Sequence, residues 1–182
     1  ARQEAREIPK IEMSETARLT MQRVNEARFV SAPARPDPAA QPQQAQATDE
    51  NVASAATAPT YDGGLVRIQV LLDRLHFSPG VIDGYDGENV RKAVAAYQEA
   101  NNLPINGRPD DALLTRLERA DNARALGAYV LTEEDVGGPF VQVPRDLEAQ
   151  SRLDALGYGS AAEAVAEKFH MDEDLLRSLN PG

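Results

Sequence analysis

The chain has 182 residues and a formal charge of −10, with 29 acidic against 19 basic residues, 5% aromatic residues, no Trp and no Cys. Phosphate backbones are bound through clustered Lys and Arg, so this balance argues against a nucleic-acid partner; the missing Cys removes disulfides, thiolate metal sites and a Cys nucleophile together. No apolar run is long enough to span a bilayer, and the opening ARQEAREIPK has no apolar signal core, which reads as a soluble chain or one already processed.

Residues 1–30 form an N-terminal arm in which Met13, Ala17, Met21 and Val24 fall at helical spacing behind Ser14 as a cap. The apolar face is thin, so a short helix is predicted, marginal alone or docked on a partner. Residues 31–63 hold five of the twelve prolines among Ala, Gln, Thr and Ser, and Val52 is their sole bulky aliphatic residue. Such a stretch cannot bury enough apolar surface to offset the entropy of ordering it, and is predicted to be a disordered tether.

The pattern strengthens over residues 64–120. Leu65, Ile68, Leu72 and Leu75 mark one face of a helix that stops before Ser78-Pro79-Gly80. Val90, Ala93, Val94 and Tyr97 repeat the spacing in a second helix, entered through the turn DGYDG, with Asp86 and Glu88 suited to the positive end of its dipole. Leu113, Leu114 and Leu117 mark a third, opened by Pro109 and Asp110. Three short helices joined by Gly turns predict closure around one small core, with Tyr97 and the aliphatic stripes inside.

Residues 121–139 read as a connector, and residues 140–182 as a second folded unit. FVQV, from Phe140, suits a short strand, and residues 146–156 suit a helix ended by Gly157. Ser160 and Glu163 read as a capping box for a helix burying Val165 and Phe169. Asp172 caps the last helix, with Leu175, Leu176 and Leu179 inward and Asn180-Pro181 as the stop. No fixed-period repeat runs through the chain.

Chemistry-bearing clusters are sparse. His76 and His170 are the only histidines and have no carboxylates at metal-ligand spacing, so both read as packing residues and no metal or cofactor is expected. The acidic run TEEDVGG lacks the alternating ligands of a calcium loop and reads as solvated. Gly84 and Gly87 read as structural turn residues needing positive φ or a close backbone approach. Contacts to a ligand at that turn would come from backbone N–H groups or from Tyr85 and Asn89; Gln69, on the first helix, faces a groove or solvent. No catalytic residue is nominated.

The residues also carry a resemblance. Residues 64–118 resemble the three-helix peptidoglycan-binding domain of bacteria: an aliphatic-Gln pair (Ile68, Gln69), an Ile-Asp-Gly turn (Ile82, Asp83, Gly84), an aromatic-Gln pair (Tyr97, Gln98), then LPINGRPDDALLTRL. The wording VRIQVLLDRLHFSPGVIDG is similar to the domain that precedes the catalytic domain in periplasmic L,D-transpeptidases of alphaproteobacteria. SAAEAVAEKFHMDEDLLRSLNPG resembles the helix-helix part of a lysin motif, without the Gly-Asp-Thr-Leu stretch that normally precedes it. The resemblance implies a mainly α chain with an incomplete, small α/β lysin-motif-like unit. It implies a non-catalytic region of a cell-wall cross-linking enzyme, since the Ser-His-Gly-Cys motif of that family is absent from these residues. Peptidoglycan is the implied partner, in the periplasm or cell envelope, with Gln69, Tyr85 and Asn89 as candidate contacts. The alternative is an envelope module that uses the same helices to dock another protein.

Overall fold

A computed structural model describes residues 13–29, 61–140 and 158–181. Residues 31–60 of the predicted 31–63 tether, the helix at 146–156 and all of the FVQV segment except Phe140 lie outside the described residues, while Asp62 and Gly63 already open the first core helix. Among those described there are seven helices and no strand. The chain divides into two compact units, one of Val24–Ala125 and one of Ala1–Arg23 with Leu126–Gly182.

Helix α1 (Glu15–Glu26) starts as its sequence suggests, with the Ser14 hydroxyl accepting the Ala17 N–H at 3.1 Å. Its one buried residue is Val24, while Met13, Ala17 and Met21 are half-buried. Val24 and the residues that follow belong to the compact unit built on the three central helices.

The core of that unit is made by α2 (Gly63–Arg74), α3 (Glu88–Ala100) and α4 (Asp111–Ala120). Leu65, Ile68, Leu71, Leu72, Val90, Ala93, Val94, Tyr97, Leu113, Leu114 and Leu117 form one cluster, edged by Phe29, Leu75, Phe77 and Leu103. α2 is the central element, because eight of its twelve residues are buried and its apolar residues cover more than one face. Asp62 and Asp110 cap α2 and α4, accepting the Leu65 and Leu113 N–H groups at 2.8 and 2.6 Å. Phe77 meets Tyr97 edge to face at 5.4 Å, closing the core at the far end of α2. Arg74 donates to the carbonyls of Ala123 and Arg124 and pairs with Asp121, so residues expected to begin the connector are sewn to α2.

Both histidines have a local structural explanation. α2 ends at Leu75 with His76 at φ 65°, its N–H on the Asp73 carbonyl and the Phe77 N–H on the Leu72 carbonyl. This is the paired closure of a left-handed helix terminus, a conformation His tolerates better than most residues. α3 ends the same way at Asn102 (φ 55°), and α6 (Ala161–Lys168) at His170 (φ 52°).

The other unit corrects the predicted fold class. Its described elements are α1 up to Arg23, α5 (Glu133–Val136), α6 and α7 (Glu173–Leu179), and the small α/β unit is not found: a lysin motif needs a β-sheet, and the described residues supply none. The two helices behind that resemblance are real. Ser160 accepts the Glu163 N–H, and Asp172 accepts the N–H groups of Asp174 and Leu175. The Glu163 carboxylate, however, reaches the Gly159 N–H rather than closing a box on Ser160. Val165, Leu175 and Leu179 are buried, but Phe169 is 39% exposed and stands edge to face with Tyr129.

The acidic run expected to be solvated holds a buried carboxylate. Asp135 accepts from the Thr132 N–H, the Thr132 hydroxyl and the Tyr129 hydroxyl, each at 2.8 Å, and pairs with Lys168 at 2.7 Å. The Lys168 ammonium also lies 4.8 Å from the centre of the Tyr129 ring. Lys168, then the Thr132 and Tyr129 donors, hold the Asp135 carboxyl well below the usual carboxylate range. In sequence this looked like loop charge; in space it ties the segment 129–135 to α6.

Candidate functional site

The loop from Ser78 to Gly87 joins α2 to α3, and its shape is set by one side chain. Gln69 Nε2 donates to Asp83 Oδ1 at 2.9 Å, while its Oε1 accepts the Gly84 N–H at 2.8 Å and the Asp83 N–H at 3.3 Å. Asp83 Oδ1 also accepts the Tyr85 N–H at 2.9 Å. An amide side chain suits this task because it donates and accepts at once. Gln69 is 0% exposed. Expected to face a groove or solvent, it is a buried clasp whose polar atoms are spent on holding the turn.

The same device occurs a second time. Gln98 Nε2 donates to Asn106 Oδ1 at 2.8 Å, its Oε1 accepts the N–H groups of Asn106 and Gly107 at 2.9 Å each, and Asn106 Oδ1 accepts the Arg108 N–H at 2.9 Å. Both turns end in a glycine at positive φ, +75° for Gly84 and +63° for Gly107. The sequence signal was present in the two Gln residues and the two Ile-Asp-Gly and Ile-Asn-Gly triplets. No local pattern pairs each Gln with its turn, because the first lies fifteen residues from its glycine, Gln69 to Gly84, and the second nine, Gln98 to Gly107.

The two glycines nominated at the loop part company. At Gly84 an added Cβ would lie 2.7 Å from the Tyr61 Cβ, and its φ is left-handed, so glycine is required twice over. Gly87 has φ −116°, ψ 173° and open space around it. It needs neither positive φ nor a close approach; it is the residue at which α3 begins. Gly80 (φ +79°) is a second left-handed position in this loop, packed against the Asn89 side chain.

Gly87 leaves α3 without a side-chain cap, whereas every other described helix opens on a Ser, Thr or Asp whose oxygen accepts a first-turn N–H. Around that opening Tyr85 is half-buried and Asn89 exposed. Asp86 makes a forked pair with Arg91 at 2.8 to 3.2 Å, and Glu88 pairs with Lys92 at 2.7 Å. The Asp86 hydrogen bond raises the Arg91 guanidinium, and the Lys92 hydrogen bond lowers the Glu88 carboxyl. Surface pairs of this kind add little stability. They do offset the acidic charge beside the helix start. Among the described residues no three His, Asp or Glu side chains converge as metal ligands.

The structure thus places Tyr85, Gly84 and Gly87 in the loop, Asn89 beside it in the first turn of α3, and Gln69 beneath. The family profile of the putative peptidoglycan binding domain matches residues 62–117, which span this loop and all three core helices. A peptidoglycan-binding domain is therefore present in the chain. No curated protein is significantly similar to it. The wider resemblance is corrected here: the match carries no link to L,D-transpeptidases or to transferases, and nothing supports a lysin-motif-like unit beside the binding domain. Among the described residues no helix is long and apolar enough to cross a membrane.

Proposed function

We propose that the domain binds peptidoglycan through the open start of α3 and serves to position the chain on the cell wall. The observation that carries this reading is the missing cap at Gly87. The first-turn N–H groups of an α-helix have no intrahelical partners, and the aligned peptide dipoles add partial positive charge there. Stem peptides of peptidoglycan carry carboxylates, which suit such a terminus. The Arg91 and Lys92 pairings keep Asp86 and Glu88 from repelling an incoming anion. Tyr85 and Asn89 flank the same opening and supply the side-chain contacts, while Gln69 and Gly84 act as positioning residues beneath them. Wall binding places the chain in the cell envelope.

Retention on insoluble peptidoglycan sacculi tests this. The Tyr85→Ala/Asn89→Ala chain should stay folded with its helical signal retained and lose only about 1 kcal/mol, since Tyr85 is half-buried, yet be recovered far less in the sedimented fraction. Equal retention of the double variant refutes the site. Absence of retention for the wild type refutes wall binding and favours an envelope protein as the partner.

A further inference from the structure

Residues 24–29 lie outside the stretch matched by the peptidoglycan-binding profile, yet they belong to the same compact unit. Their backbone crosses the first turn of α2 so closely that a Cβ on Gly64 would meet Phe29 N at 2.5 Å and Arg28 C at 2.6 Å, and one on Gly63 would meet the Ala27 Cβ at 3.0 Å. The glycine pair is otherwise a poor choice inside a helix. Val24 is buried, and Phe29 packs at the edge of the core. Polar contacts fix the segment's register. Arg28 donates to Asp111 at 2.5 Å and to Thr115 at 3.1 Å and lies 3.6 Å from Glu118; Arg67 donates to the Ala27 carbonyl at 2.5 Å and pairs with Glu118. We propose that the surface shared by α2 and α4 is a docking groove for an arginine-bearing segment, and that Val24–Phe29 of this same chain, the last turn of α1 and the residues that follow it, is its occupant.

The hydrogen bond between them raises the Arg28 guanidinium and lowers the Asp111 carboxyl. Both side chains are about half exposed, so the ion pair alone is a weak anchor. The close backbone approach over Gly64 and the burial of Val24 supply the rest. Docking fixes Val24–Phe29 to the binding domain.

Trypsin cleavage after Arg28 in the full chain reads the docked state, because cleavage of a locally opened segment follows the population of the open form. Gly64→Ala removes the space the backbone needs while improving helix propensity, and Asp111→Lys repels Arg28 without adding bulk at Gly64. Each should speed that cut at least about tenfold over wild type, with the melting of the helical core retained. A labelled peptide of residues 13–29 should bind the Arg28→Glu chain, whose own segment is displaced, and lose that binding when Gly64→Ala is added. Unchanged cleavage in both variants overturns the proposal, as does a peptide that binds neither chain or both alike.

Discussion

Replacing Gln69 by Ala removes the clasp that shapes the loop before α3. The Gly84 N–H is buried and loses its acceptor, which costs about 1–3 kcal/mol. Removing the side-chain methylene that Ala lacks adds roughly 0.8 kcal/mol of lost burial. Asp83 keeps the Tyr85 N–H, so its carboxylate is not left wholly unpaired. The sum is about 2–4 kcal/mol, a large share of the stability of a small domain. In a unit of this size it lowers the melting temperature on the order of 10–20 °C. Thermal unfolding followed by circular dichroism checks the shift, and amide exchange at Gly84 checks its location. Gln69→Glu is the informative companion: it keeps the shape and both acceptor contacts but sets a second carboxylate against Asp83 Oδ1, now 2.9 Å from Nε2. It should destabilise at neutral pH and recover on acidification as one carboxyl protonates. If Gln69→Ala melts within about 2 °C of wild type, the clasp is not what holds the loop.

Gly87→Asp supplies the cap that α3 lacks and should raise stability by only about 0.3 kcal/mol, glycine being itself a fair N-cap residue, measured by denaturant unfolding, while weakening retention on sacculi by occupying the same N–H groups. His76→Gly relieves a left-handed residue at the α2 terminus and should stabilise by roughly 0.5–1 kcal/mol, read by the same unfolding curve. Asp135 has a depressed pKa in the folded chain, so its contribution is fully present above the ordinary value of 3.8 and fades as pH falls below it. Acid titration of the Thr132 amide shift should show this loss, and Asp135→Asn should abolish the pH-dependent part.

The three core helices were legible because their apolar residues recur at helical spacing and Asp110 marks the start of the third, whereas Asp62, read as part of the tether, caps the first. Long-range partners were not. Gln69 looks like an ordinary polar residue on an amphipathic helix, and only the fold brings Asp83 and Gly84 to its amide. Gly87 and Gly84 are alike in sequence, but a glycine that opens a helix and one that turns left-handed differ only in backbone angles. The docking of Arg28 depends on contacts with residues more than eighty positions away, to which no local pattern points. The likeness of residues 160–182 to a lysin motif rested on two short, well-capped helices. Capping is a local property that such helices share whether or not a sheet lies beside them.

The location of the binding site can be read directly from amide chemical shifts as a soluble muropeptide with an intact stem is titrated into the full chain. Binding at the uncapped start of α3 should move the Glu88, Asn89 and Val90 amides most, with Tyr85 following and the matching turn at Asn106 and Gly107 unchanged. Shifts centred on that second turn, or no shifts at saturating muropeptide, would contradict recognition of the cell wall through α3.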